Sequence, residues 1–541
     1  MTISKTQRIE VQTGTRARVS SQESIMMNKI LKRSVLMLLI LTGFAALGYR
    51  GNAQKLQGNR VPAIPRTWVD AEISELEVPL ADPIGSPKHI SAEYYYRIPV
   101  RPIYKSYTVY APRPEPAGYI ANLLRQEQEV VWGTDKNGVE HAPPLKTEAD
   151  WIRAGEMVFD APIVYDGITA AADVREPEWY SKTGVLLTRD GVMPFYRYVI
   201  REKGKLELGR LSCVSCHTRV MPDGTTLKGA QGNIPFDRAR AYAFRTGRFK
   251  LEEARILERG LFGAPWLRPD PNDRLDQMSL EQISAVHEGI PPGVLGRHRS
   301  SAFYPVQVPD LIGVQARTYL DRSGLQQHRS IVDMMRYAAL NQGGDDLASF
   351  GGFVPVARDF RTLPDPTTQG RYSDEQLYAL ALYIYSLVPP PNPNQFDALA
   401  QRGQEIFRSE GCAGCHTPPL YTSNKLTPVD GFSVPKEHKQ KYAVLPFSLG
   451  TDPELTLKTR RGTGYYKVPS LKGVWYRGPF EHSGSVATLE DWFDPKRLRD
   501  DYMPTGFKGY GVKTRAVKGH EFGLLLSAED KRALIAFLKT L

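Results

Sequence analysis

Apolar positions recur at helical spacing in only a few stretches of this chain, and those stretches bound its organisation. Gln376 to Leu387 is largely apolar and is stopped by Pro389-Pro390-Pro391, which cannot continue a helix. A new helix is predicted from near Asp397, with Ala398, Leu399, Gly403, Ile406 and Phe407 at helical spacing. Ser373-Asp374-Glu375 opens the first of these helices, and Ser527-Ala528-Glu529 opens another at the end of the chain; both are N-cap signals. Strand patterns are weaker. Tyr94-Tyr95-Tyr96-Arg97-Ile98-Pro99-Val100 and Ile103 to Tyr110 alternate only in part and are broken by Pro, which predicts short strands or extended cover. Val185-Leu186-Leu187 and Tyr196 to Ile200, split by Asp190-Gly191, predict a β-hairpin.

The pattern occurs twice. Gly155-Glu156-Met157-Val158-Phe159 resembles Gly403-Gln404-Glu405-Ile406-Phe407, and Val308-Pro309-Asp310-Leu311-Ile312-Gly313-Val314 matches Val468-Pro469-Ser470-Leu471-Lys472-Gly473-Val474. Ser323-Gly324 and Ser483-Gly484 each lie 15 residues after the opening valine, so the register holds. This divides the chain into an N-terminal signal or anchor segment (1–53), a Pro/Tyr-rich covering region (54–146), a first unit (147–388), a Pro-rich linker (389–396) and a second unit (397–541). The first unit is longer. Phe159 lies 54 positions before Cys213, against 5 between Phe407 and Cys412, and Cys213 lies 95 before Val308, against 56 between Cys412 and Val468. Loops added around a site are where pockets are built.

Composition changes this picture little. With 41% hydrophobic and 24% charged residues the chain is globular, and 46 Gly with 41 Pro predict much irregular loop. The net charge of +11 has no basic face or nucleic-acid motif behind it, so nucleic acid is not an expected partner. Part of the excess precedes the one strongly apolar run, Ser34 to Gly48, which has 15 residues without a charge. That run is short for a membrane span of about 20 residues. It suits the core of a signal peptide behind Lys32-Arg33, with Gly51-Asn52-Ala53 as a small-x-small cleavage site. An uncleaved anchor and a buried helix are the alternatives; the first two send the remainder across the membrane, to a periplasmic location.

All four cysteines fall in two runs, Cys213-Val214-Ser215-Cys216-His217 and Cys412-Ala413-Gly414-Cys415-His416. C-x-x-C-H is the attachment signature of c-type haem. Two thiols three residues apart close thioethers onto the porphyrin vinyl groups, and the next histidine meets the iron. Paired zinc knuckles would stand roughly 12–20 residues apart. Here 195 residues separate Cys216 from Cys412 and a histidine follows each pair. The expectation is therefore two covalently bound haems. The fold expected is mainly α: two tandem cytochrome c-type haem domains, a Pro/Tyr-rich N-terminal extension and a small β insertion in the first domain.

Together with Pro479-Phe480-Glu481-His482-Ser483-Gly484 and the closing helix, these motifs resemble the bacterial di-haem cytochrome c peroxidase superfamily. That group includes the di-haem enzyme that matures tryptophan tryptophylquinone and, more distantly, the di-haem rubber oxygenases. The resemblance covers about residues 147–541 and is strongest over 403–541. It implies that the second haem, on His416, relays electrons to the first, on His217, which reacts with hydrogen peroxide or oxygen. It further implies a small periplasmic electron donor such as a cytochrome or cupredoxin. In the peroxidases a methionine about 14 residues after the motif histidine ligates the relay iron. Here Lys496 stands 14 after His482, so the ligand must come from elsewhere. The rubber oxygenases place a second histidine near the C-terminus, and His520 occupies a comparable place; Met503 is the next candidate and His438 a remote one.

At the first haem, candidates between His217 and the linker are His287, Glu288, His298, Arg317, His328, Arg336, Asn341 and Gln342. A peroxidase needs an acid–base group on an open iron face, and His287, Glu288 and His328 are the expected catalytic residues. Trp266 could lie between the haems, as a tryptophan does in the family, with core packing as the alternative. The family often holds a calcium ion there, largely on backbone carbonyls; those in register are Arg477 and Pro479. The competing function is a non-catalytic periplasmic electron carrier with both irons six-coordinate.

Overall fold

The structure is a computed structural model that describes residues 63–111, 115–296, 300–342 and 347–541. The apolar run at Ser34–Gly48, its cleavage site, the start of the covering region and His298 lie outside the described residues. No described helix is long and apolar enough to cross a membrane.

Strand β1 (Ser106–Tyr110) comes from the covering region; α1 (Glu148–Phe159) opens the first unit, followed by β2 (Pro162–Tyr165), β3 (Val192–Glu202) and β4 (Lys205–Leu211). After the first motif come α2 (Phe236–Arg245), α3 (Leu251–Phe262), α4 (Leu280–Glu288), α5 (Ile331–Gln342) and α6 (Asp374–Ser386). The second unit runs from α7 (Ala398–Ser409) to α8 (Ala528–Lys539).

Helix occupies 34% and strand 15% of the structure, so the architecture is mixed α/β and not the expected mainly α. The cause is a four-stranded antiparallel sheet, order β1-β3-β4-β2, which joins the covering region to the insertion of the first unit. The hairpin forms one turn later than expected. Lys203-Gly204, with Gly204 at φ +82°, reverses the chain between β3 and β4, because only there does a two-residue loop meet two continuous alternating runs. Asp190-Gly191 instead makes the turn that leads into β3, with Thr188 N–H donating to Val192 O at 2.9 Å. Tyr94–Tyr96 are helical, not extended: Ser91 accepts from Tyr94 N–H at 3.2 Å and starts a turn over Ala92–Arg97. That turn buries Tyr95 flat on Trp68, ring centres 4.6 Å apart. Trp68, Tyr95 and Trp132 share one core with Trp151 of α1, Leu380 of α6 and Cys213, so the covering region is part of the first unit's interior.

The duplication is three-dimensional. α1 crosses α6 as α7 crosses α8, and at each crossing a glycine lets the backbones touch. A Cβ on Gly155 would strike the Ala379 carbonyl, and one on Gly403 the Ala533 carbonyl. One turn on, Phe159 meets Tyr383 at 5.2 Å and 63°, and Phe407 meets Phe537 at 5.3 Å and 63°. Both closing helices are capped as expected, by Ser373 on Gln376 N–H and by Ser527 on Asp530 N–H. The loops match as well: Asp321 and Glu481, equivalent residues, both hold left-handed backbone at φ +63° and +71°. Across the seam between units, Gln307 N–H donates to His482 O at 2.8 Å and Lys467 N–H to Arg322 O at 3.0 Å, the same contact made once from each side.

Candidate functional site

Each C-x-x-C-H run closes a short turn. His217 N–H reaches the Cys213 carbonyl at 2.8 Å, and His416 N–H the Cys412 carbonyl at 2.9 Å. The four thiols form no disulfide. Burial pushes the Cys213 thiol up to about 12 and the Cys412 thiol up to about 11, so neither is a thiolate at neutral pH, which a zinc site would require.

The V-P-x-L turns hold the histidines. His217 Nδ1–H donates to Pro309 O at 3.0 Å; His416 Nδ1–H donates to Pro469 O at 3.1 Å, with Tyr421 O at 3.2 Å. A carbonyl acceptor puts the proton on Nδ1 and directs the basic Nε2 to a metal. Burial lowers His416 to about 4, which keeps it neutral.

His520 faces His416, ring centres 6.2 Å apart and planes at 59°. Two metal–nitrogen bonds of about 2 Å, each with roughly 1.1 Å more to the ring centre, span about 6.2 Å. The pair is therefore spaced to take one iron between them. His520 Nδ1 is sealed without a hydrogen-bond partner, and burial, with His416 beside it, lowers its pKa to about 3. The residue sits at φ +51°, a conformation rare outside glycine, so its loop must be held by its surroundings. Arg497 does this. Its buried guanidinium donates to Val517 O (2.6 Å), Gly519 O (3.0 Å), His520 O (2.9 Å) and Trp492 O (2.9 Å). Lys496, at the family's methionine position, is exposed, while its neighbour Arg497 turns inward to fix the histidine loop. Met503 is 49% exposed, and His438 bonds the Tyr465 hydroxyl through Nδ1 at 3.0 Å. His482 stacks on Tyr466 at 4.4 Å beside Glu481.

The first unit differs. The cavity at Cys216 and His217, about 500 Å³ of empty space including its mouth, is walled by Leu295, Val306 and Val308 and by a polar group not expected from the sequence. Asp321 Oδ1 accepts from the Tyr337 hydroxyl at 3.1 Å and pairs with Arg461 Nη1 at 3.0 Å. Asn341, one turn after Tyr337 on α5, joins them, and Gln342 Nε2 lies 3.4 Å from Cys213 Sγ. Burial, then the Asp321 carboxylate, raises the Tyr337 pKa well above its ordinary value. No second histidine or methionine is among the described residues of this wall.

The three expected acid–base residues lie elsewhere. His287, on α4, is wholly buried between Asp237 (2.9 Å) and Glu258 (3.0 Å), and Glu258 also pairs with Arg240 at 3.1 Å. Burial opposes its charge, yet the Glu258 carboxylate and the Asp237 hydrogen bond outweigh that and raise its pKa. Glu288 is exposed and paired with Arg245 at 2.8 Å. His328 donates from Nδ1 to Arg317 O at 2.8 Å and accepts from Tyr385 OH on Nε2 at 2.6 Å. Their residue types were right for acid–base work, but the added helices α2–α4 form an interior that uses His287 for itself. Trp266 stacks on Phe350 at 6.0 Å and covers Gly85. The calcium carbonyls fit poorly too. Pro479 O accepts from Gln231 and Gln307, and Gly478 O from Arg219 and Gln231, so donors and a positive charge occupy the place of a cation.

No protein-family model matches the chain. It is 28% identical over 166 residues to the cytochrome-c peroxidase IdrP1 of Pseudomonas sp. (strain SCT), which covers 27% of this chain and 41% of that protein. It is 34% identical over 105 residues to the uncharacterized protein y4iJ of Sinorhizobium fredii, 14% of this chain and 18% of that one. The chain thus matches less than half the length of either curated relative. Among solved structures, Kuenenia stuttgartiensis hydrazine synthase is similar over 47% of this chain and 79% of that chain at 17% identity, TM-score 0.27. A MauG-like protein associated with microbial copper homeostasis is similar over 31% of this chain and 56% of that chain at 19% identity, TM-score 0.20. The peroxidase similarity supports a di-haem peroxidase-like superfamily and no specific member of it.

Proposed function

We propose that this protein is a two-haem, peroxidase-like oxidoreductase in which the closed second unit relays electrons and the first unit reacts with hydrogen peroxide or oxygen. The observation that carries it is an asymmetry between duplicated sites. One iron-facing histidine, His416, is met by His520 at 6.2 Å; the other, His217, looks onto a cavity lined by Asp321, Tyr337 and Arg461. The similarity to a cytochrome-c peroxidase supports the same reading.

Bound haem supplies one-electron storage in both units and, where a coordination position is open, a place for an oxidant to be reduced. The chain supplies the rest. Cys213, Cys216, Cys412 and Cys415 attach the groups, and Pro309 and Pro469 orient the ligating histidines. Asp321 Oδ1 holds the Tyr337 proton and is kept ionised by Arg461, a carboxylate–phenol pair able to move a proton beside the open face. The apolar wall of Leu295, Val306 and Val308 limits water there. A small periplasmic cytochrome or cupredoxin is the proposed donor.

Carbon monoxide titration of the reduced protein tests this reading. One molecule bound per chain is expected, together with rapid reoxidation on mixing with peroxide that slows at least tenfold in Tyr337→Phe. No binding at either haem would leave the electron-carrier function in its place.

A further inference from the structure

The seam between the two units is far more cationic than a protein interior tolerates on its own. A cavity there is bounded by Pro309 and Pro469, the two carbonyls that hold His217 and His416, so it lies between the two metal-binding sites. Arg317, Arg322, Lys467 and Arg477 all line it, against one carboxylate, Asp310. Arg317 and Arg477 are equivalent in the duplication, and each donates into its own V-P-x-L turn, to Ile312 O at 2.7 Å and Ser470 O at 2.7 Å. These contacts secure the arms and neutralise nothing.

Asp310 compensates little. Its Oδ2 stands 3.9 Å from Arg317 and accepts from the Tyr476 hydroxyl at 3.2 Å, while Oδ1 accepts from Ile312 N–H at 3.0 Å. Arg322, Lys467 and Arg477 have no carboxylate partner among the described residues. The Nε atoms of Arg322 and Arg477 are sealed from solvent without a hydrogen bond, and Lys467 Nζ has only the Tyr319 carbonyl at 3.2 Å. Burial, then Arg477 and Arg317 nearby, lowers Arg322 to about 9, and burial with Arg317 and Arg322 lowers Lys467 well below its usual range. An uncompensated buried charge costs several kcal/mol. Four in one seam require an anion.

We infer that the seam is a carboxylate-binding site shared by the two units, filled by the propionate side chains of both haems. Arg322 is its common member, since it lines both this cavity and the one at His217. The inference rests on the two-haem reading above. Porphyrin propionates match the chemistry: anionic, planar acceptors suited to guanidinium forks, brought in at fixed positions by the attached groups. Positive charge next to both groups favours their reduced states and links their potentials.

Spectroelectrochemical titration of the intact protein and of Arg322→Gln and Lys467→Gln tests this, with a pyridine haemochrome count on each sample. Two haems per chain with both midpoint potentials lowered in Arg322→Gln, by a tenfold change in the oxidised-to-reduced ratio or about 59 mV, is the expected result. Arg322→Lys, which keeps the charge, should hold both potentials near wild type. A shift confined to one haem, or none in either variant, would overturn the shared site. Potentials in the wild type that depend on added acetate or phosphate would show that a free anion fills the seam instead. A haem count other than two would overturn the two-haem reading and is told apart by that assay alone.

Discussion

Replacing Arg497 by Ala should loosen the His520 loop without touching either metal-binding histidine. The guanidinium makes three hydrogen bonds to the loop carbonyls of Val517, Gly519 and His520. At about 1.5 kcal/mol for each charge-assisted bond the sum is roughly 4.5 kcal/mol, and sharing among donors of one group reduces it to about 3. The left-handed backbone of His520 adds to the tendency to leave, since nothing but packing then keeps it at φ +51°. About 3 kcal/mol is on the order of a hundredfold in the closed-to-open equilibrium. Carbon monoxide can bind the second haem only when His520 is away, so its binding rate there should rise about a hundredfold in Arg497→Ala. Flash photolysis of the fully reduced protein reads this directly, with a thermal melt to show that the fold persists. Arg497→Lys should restore little, because one ammonium cannot span carbonyls that the planar fork reaches together. An unchanged rate in Arg497→Ala would refute the argument that this residue holds the ligand in place.

Three further outcomes are expected. His520→Ala should turn the low-spin absorption of the second haem high-spin, whereas Met503→Ala, at a side chain 49% exposed, should leave the spectrum as it is. Gly403→Ala should destabilise the protein by about 3 kcal/mol or more in denaturant titration, because the added Cβ meets the Ala533 carbonyl, while Gly414→Ala, where a Cβ meets nothing within 4 Å, should be neutral. His287 has a pKa raised in the folded state, so its contribution to stability is complete below about pH 6.5 and is lost as pH rises through its folded value. Melts across pH 6–10 should show that decline, and His287→Ala should remove it while costing about 3–5 kcal/mol, since Asp237 and Glu258 are left buried with too little positive charge.

The sequence by itself determined the two attachment motifs, the duplication, the capped closing helices and the candidacy of His520. Each is written in local spacing: C-x-x-C-H turns, a Ser cap three residues before its partner, a histidine between glycines. It also showed a longer first unit, though not what the extra length does. The tertiary structure decided the rest. Tyr94–Tyr96 became helix because Tyr95 had Trp68 to stack on, 27 positions earlier in the chain. The mixed α/β architecture arose because β1 of the covering region pairs with β3 of the insertion, a long-range choice that period-two alternation cannot announce. His287 was lost to catalysis because Asp237 and Glu258 converge on it from other helices. Asp321, Tyr337 and Arg461 became a site only where three distant segments meet at His217. Chemistry carried by consecutive residues is legible in a sequence, whereas chemistry assembled from separate elements depends on which surfaces burial brings together.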